Sequence, residues 1–142
     1  MYETSAFEEV YTIDDWYDGP RTGFAQYRGM PHHYRSLYLD FDDWESDEDR
    51  FELIPVTTDV LKSALEASEI FDRWSAARKR GEVAWSSGDP LSEFGALAED
   101  RDRYARARSV ILPYAEQGRR EAFTVRGRFE LGFRRVQWRD DF

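Results

Sequence analysis

Residues 40–50 read DFDDWESDEDR: seven carboxylates (Asp40, Asp42, Asp43, Glu45, Asp47, Glu48 and Asp49) precede one arginine, with Phe41 and Trp44 set among them. A calcium loop of the EF-hand type needs oxygen ligands at positions 1, 3, 5, 7 and 12 and glycine at 6. Counted from Asp40, position 5 is Trp44, position 6 is Glu45 and position 12 is Phe51, so the pattern fails. Seven mutually repelling carboxylates without glycine do not form a closed cage, which leaves weak divalent association beside two other readings. As a docking surface, the charges steer a basic partner or imitate a phosphate backbone, and the two rings hold the complex. As a plain connection, the run stays solvated and discourages edge-to-edge strand pairing.

His32-His33 is the only histidine pair. Neighbouring strand residues point to opposite faces, so the two do not share a metal readily, and no H-E-x-x-H or E-x-x-H pattern completes a site. Glu66, Glu69 and Asp72 fall along one side of a helical stretch, but Arg73 four residues after Glu69 makes this an exposed ion-pair ladder. No G-x-S-x-G, phosphate loop or dinucleotide fingerprint occurs, and the absence of cysteine excludes thiol catalysis, Cys-based zinc sites and disulfides. No catalytic residue, cofactor or metal is assigned. At the other end of the chain Arg126 and Arg128 share a strand face, and guanidinium forks suit phosphates or carboxylates, giving a weak anion-binding candidate.

The charge is unevenly placed. Residues 1–50 hold thirteen carboxylates against four arginines, which is the whole net charge of −9, and residues 51–142 balance. Residues 119–139 carry seven arginines against Glu121 and Glu130. The net negative charge opposes direct binding of nucleic acid. A head-to-tail homo-oligomer joining acidic and arginine-rich faces is compatible with this distribution. Aromatics make up 16% of 142 residues, far above a disordered acidic chain, so the sequence reads as one globular domain over 1–142. No apolar stretch is long enough for a membrane span, and the acidic N-terminus lacks signal-peptide regions, which predicts a cytoplasmic protein.

The elements that would position these groups follow from periodicity. Residues 9–17 and 24–38 read as strands, with turn chemistry in DGPRTG (18–23) and a tight turn at Gly29-Met30 that sets Tyr27 opposite His32 and Ala25 opposite Tyr34. RFELIPV (50–56) reads as another strand, with Pro55 at an edge or end. The period then becomes 3.6: Val60, Ala64, Ala67, Phe71 and Trp74 form the stripe of a helix that Thr57 or Thr58 caps and Gly81 ends. A second helix from Ala96 to about Leu112 packs Leu97, Tyr104, Ala107 and Ile111, with Pro113 limiting or kinking it. Residues 121–140 return to alternation, with a bulge or hairpin from Gly132 to Arg135. The expected fold is α+β: an antiparallel sheet, built from an N-terminal meander plus C-terminal strands, with two helices packed on one face.

The segment YDGPRTGFAQYRGMPHHY (17–34), followed by FELIPVTTDVLKSALE and a Trp-bearing helix, resembles a family of small uncharacterised bacterial proteins. The likeness rests on Asp18, Gly19, Pro20, Arg21, Gly23, Ala25, Gly29, Pro31 and His32. It implies a bacterial intracellular globular domain and carries over no catalytic residue.

Two functional expectations follow. The first is a protein-interaction domain that binds and blocks a basic partner, as an immunity protein or nucleic-acid mimic does, through the acidic run with Phe41 and Trp44. The alternative is a small enzyme or ligand-binding domain with a pocket between sheet and helices, lined by Tyr27, His32, Tyr34 and Trp74.

Overall fold

The computed structural model describes residues 7–16, 20–37, 49–82, 96–116, 122–130, 132 and 134–140. Among the described residues six strands are present: β1 Glu8–Trp16, β2 Pro20–Tyr27, β3 Met30–Ser36, β4 Asp49–Pro55, β5 Phe123–Glu130 and β6 Arg135–Asp140. Two helices, α1 Thr58–Lys79 and α2 Arg101–Glu116, lie in sequence between β4 and β5. The α+β reading with an antiparallel sheet therefore holds. The chain divides into two compact units, one containing the six strands and the other spanning Asp59–Pro113. Among the described residues no helix is long and apolar enough to cross a membrane.

The antiparallel sheet is closed, which the sequence reading did not anticipate. Its strands follow in the order β1-β2-β3-β4-β5-β6 and close, β1 meeting β6, into an antiparallel barrel. Closure turns one face inward, where the barrel's own side chains fill it. The interior holds Val10, Ala25, Tyr34, Phe51, Leu53, Val125, Val136 and Trp138, with Ile13, Tyr27, Phe123 and Phe129 packed against them. Tyr34, Phe51, Phe129 and Trp138 form one ring cluster with centroids 5.2–6.4 Å apart. Six strands enclose a narrower space than the eight that side chains just fill, so these rings fit only where the backbone opposite them is bare. A Cβ at Gly127 would overlap the Trp138 ring. At Gly23 it would overlap the Thr12 carbonyl and the Tyr34 hydroxyl, groups that hydrogen-bond each other at 2.9 Å.

The strand β1 bends to make this possible. Its pairing with β2 shifts register between Val10 and Thr12, and the buried Thr12 hydroxyl accepts the Phe24 N–H at 3.0 Å. A side chain thus satisfies a backbone donor at the irregularity. The seam that closes the barrel is short: Glu8 faces Val136, Glu9 faces Arg135, and the Val10 N–H donates to the Arg134 carbonyl at 2.9 Å. Three β6-side groups reinforce it. Arg134 Nη2 donates to the Tyr11 carbonyl at 3.0 Å, the Arg135 guanidinium lies 4.0 Å above the Phe7 ring, and Trp138 Nε1 donates to the Gln26 carbonyl at 2.7 Å.

The β2–β3 turn is Arg28-Gly29, with φ of 52° and 80°, rather than Gly29-Met30. Positive φ at both central residues is the two-residue hairpin geometry that matches strand twist. Ala25 consequently faces His32 and Gly23 faces Tyr34. The difference is a slip of two residues, which leaves each side chain on its expected face, whereas a slip of one would have exchanged the faces. Glu130 opposite Arg135 closes a β5–β6 hairpin, as the phase break predicts.

In the helical unit, α1 buries Val60, Ala64, Ala67, Ile70, Trp74 and Ala77. Ile70 takes the place expected for Phe71, which is exposed. Gly81, at φ 75°, ends the helix, with the Glu82 N–H donating to the Ala77 carbonyl at 3.0 Å. Tyr104, Ala107 and Ile111 of α2 are buried, and Pro113 lies within α2, which runs three residues beyond it. Asp100, 4% exposed, is held by Arg73 at 2.7 Å and Arg103 at 3.6 Å, and Arg103 also reaches Glu66 at 3.1 Å. The Glu69–Arg73 pair read from the sequence is the looser contact, at 3.9 Å.

Two substitutions test this account of the barrel by chemical denaturation. Gly23→Ala is expected to cost about 1–3 kcal/mol by overpacking, and less in a Tyr34→Phe background, where one of the overlapping groups is gone. Trp138→Phe removes the donor to Gln26 and is expected to cost about 1–2 kcal/mol, with faster hydrogen exchange concentrated in β1 and β6.

Candidate functional site: ring-filled barrel, acidic connection and arginine row

Of the residues expected to line a pocket, Tyr27, His32 and Tyr34 come from the barrel. They project inward but into packed rings. Tyr27, His32 and Phe123 pack together with centroids 5.1–5.8 Å apart. Tyr34 belongs to the deeper cluster with Phe51, Phe129 and Trp138 and is fully buried. Trp74 lies in the helical unit, buried on α1, with Phe71 at 5.7 Å and the Arg78 guanidinium 5.4 Å over its ring.

The His32 imidazole is perturbed by its surroundings. Burial is the main cause and pulls its pKa below the usual 6.5; the Met30 carbonyl and the Glu8 carboxylate oppose the shift more weakly. The Met30 carbonyl lies 2.9 Å from Nδ1 and can only accept, so Nδ1 carries the proton of the neutral ring. Glu8 Oε1 also accepts the Gly29 N–H at 2.7 Å, tying the hairpin turn to β1.

The acidic residues Asp40, Phe41, Asp42, Asp43, Trp44, Glu45, Asp47 and Glu48 lie outside the described residues. Asp49 opens β4, its backbone opposite Gly127. The run therefore lies in the connection between two neighbouring strands of the barrel, β3 and β4. Where that connection leaves and re-enters the sheet, the Leu37 N–H donates to the Arg50 carbonyl at 3.0 Å.

Arg126 and Arg128 lie, as expected, on the outer face of β5. The register extends them into a larger group: Arg50 of β4 faces Arg126, and Arg126 faces Arg139 of β6. Three half-buried guanidinium side chains thus stand in one row across three adjacent strands, a span of about 10 Å at ordinary strand spacing. Arg128 stands two residues along β5, its Nη2 donating to Gln137 Oε1 at 2.7 Å. Nearby cations are matched: Arg35 pairs with Glu52 at 3.0 Å and Arg135 with Glu130 at 2.6 Å. Arg50, Arg126 and Arg139 also engage groups of their own chain. Like charges directly opposite on neighbouring strands repel.

Arg50 was missed in the sequence because it closes the acidic run and reads as its terminator. Strand parity could have found it. With Phe51 and Leu53 inward, Arg50 points outward, on the same side as Arg126. Only the β4–β5 register makes them neighbours.

No family model, no curated protein and no solved structure matches this chain.

The lowered pKa of His32 sets a pH dependence. In the window between the folded value and 6.5, the unfolded chain binds the proton and the folded chain does not, so stability falls as pH falls through 6.5. The loss levels off below the folded value, where both states are protonated. Denaturation midpoints measured from pH 7.5 to 5 should show this decline, and His32→Gln should flatten that part of the curve.

Proposed function

We propose that this protein is a small, non-catalytic interaction domain of the cytoplasm that docks a basic protein and, by covering it, blocks it. The docking residues are Asp40, Asp42, Asp43, Glu45, Asp47, Glu48 and Asp49, with Phe41 and Trp44 as apolar anchors. One observation carries the reading. The acidic run lies in the connection between β3 and β4, adjacent strands of a closed barrel whose interior is occupied by its own rings. A connection on such a scaffold is where binding residues are commonly carried. Charge of one sign steers a basic partner, and buried rings supply the contact that slows dissociation.

The alternative, a small enzyme or ligand-binding domain around Tyr27, His32, Tyr34 and Trp74, draws less support. Tyr34 is fully buried among rings and its hydroxyl is engaged by Thr12. His32 is buried with Nδ1 committed to a backbone carbonyl.

The reading is tested by native capture at low salt with the intact chain and with a variant carrying Asp42→Asn, Asp43→Asn, Asp47→Asn and Asp49→Asn. A basic protein should be retained by the first and lost from the second. For that purified partner, the association rate should fall about tenfold or more between low and physiological ionic strength. A partner whose binding ignores both salt and the amide substitutions removes the proposal.

A further inference from the structure

We propose that the outer face of β4–β5–β6 is a second, independent binding site, for a short condensed phosphate chain. Arg50, Arg126 and Arg139 form the site, and Arg128 lies beside it. The row follows from register. Phe51, Val125 and Trp138 point into the barrel, so the alternate residues of three hydrogen-bonded strands bring their guanidinium groups to one outer band. A planar guanidinium presents a fork of donors that meets phosphoryl oxygens two at a time. A single phosphate reaches one or two of these forks, whereas a chain of three phosphoryl groups can lie along all three. These side chains already engage groups of their own chain, and Arg50 Nε is buried, so a ligand shares or displaces those contacts through the remaining guanidinium N–H groups.

The surroundings select the kind of anion. The described outward residues of these strands are Arg50, Glu52 and Ile54 on β4, Thr124, Arg126, Arg128 and Glu130 on β5, and Arg135, Gln137 and Arg139 on β6. None is aromatic, so the band offers no platform on which a nucleobase could stack. The chain's net charge of −9 repels a long polyanion whose charges extend beyond the row. A short chain, with all its charge over the row, avoids that repulsion. Recognition on this face runs through the outward side chains of the three strands.

The experiment is titration calorimetry of the full chain at low salt with inorganic tripolyphosphate, orthophosphate, ATP and a single-stranded oligonucleotide of about a dozen nucleotides. Tripolyphosphate should bind saturably and about tenfold or more tightly than orthophosphate, with ATP no tighter than tripolyphosphate. Arg126→Gln and Arg139→Gln should each weaken tripolyphosphate about tenfold, and Arg126→Lys, which keeps the charge but loses the fork, should weaken it by less. Arg28→Gln, at the exposed β2–β3 turn, should leave it unchanged. Near-ultraviolet circular dichroism of the aromatic cluster confirms that each variant is folded. Absence of saturable tripolyphosphate binding overturns the proposal. So does equal weakening by Arg28→Gln, or tighter binding of ATP or the oligonucleotide. Because the asparagine substitutions at positions 42, 43, 47 and 49 change none of these arginines, they should not abolish tripolyphosphate binding, which separates this site from the docking function.

Discussion

The meeting of β1 with β6 is the contact on which the barrel depends. It is short, with two register pairs and one further backbone hydrogen bond, against five or six pairs along the other strand junctions. Side chains supply what the backbone does not: Arg134 caps the Tyr11 carbonyl, Arg135 covers Phe7, and Trp138 reaches the Gln26 carbonyl on β2. A buried indole N–H needs a partner, and Gln26 gives it one. The same ring that fills the barrel therefore helps to close it.

Closure explains the distribution of small and large residues inside. A six-stranded barrel has little room, and the cluster of Tyr34, Phe51, Phe129 and Trp138 fits because Gly23 and Gly127 present no Cβ where rings must pass. The bulge in β1 belongs to the same arrangement, since it turns the Thr12 carbonyl toward the Tyr34 hydroxyl and the Thr12 hydroxyl toward the Phe24 N–H. With rings occupying the interior, the remaining chemistry lies in the strand connections and on the outer surface. The acidic run belongs to one of those connections and the arginine row to that outer surface.

Local periodicity was a good guide to elements and faces and a poor guide to partners. The alternation of Phe123, Val125, Gly127 and Phe129 against Arg126 and Arg128 is reproduced, because a strand's side chains alternate whatever lies beside it. The helix from Thr58 to Lys79 follows its start and glycine signals, but in its fourth turn the buried residue is Ile70 and not Phe71, since the two are adjacent and either can border an apolar stripe. Hairpin register was displaced by two residues, because both Arg28-Gly29 and Gly29-Met30 contain the glycine that a tight turn favours. Asp100 and Arg50 escaped notice for one reason: their partners, Arg73 at a separation of 27 residues and Arg126 on another strand, are distant in the chain.

By itself, the sequence determined the α+β composition, the inward and outward faces, the concentration of negative charge in the first third and the lack of any recognised catalytic pattern. These depend on residue type and short-range spacing, which covalent geometry fixes. Closure of the sheet, the pairing of β1 with β6, the burial of Asp100 and the alignment of three arginines were decided only by tertiary structure. Each requires knowing which distant strands or turns become neighbours, and that is settled by whether bulky rings and bare glycines fit together across the barrel.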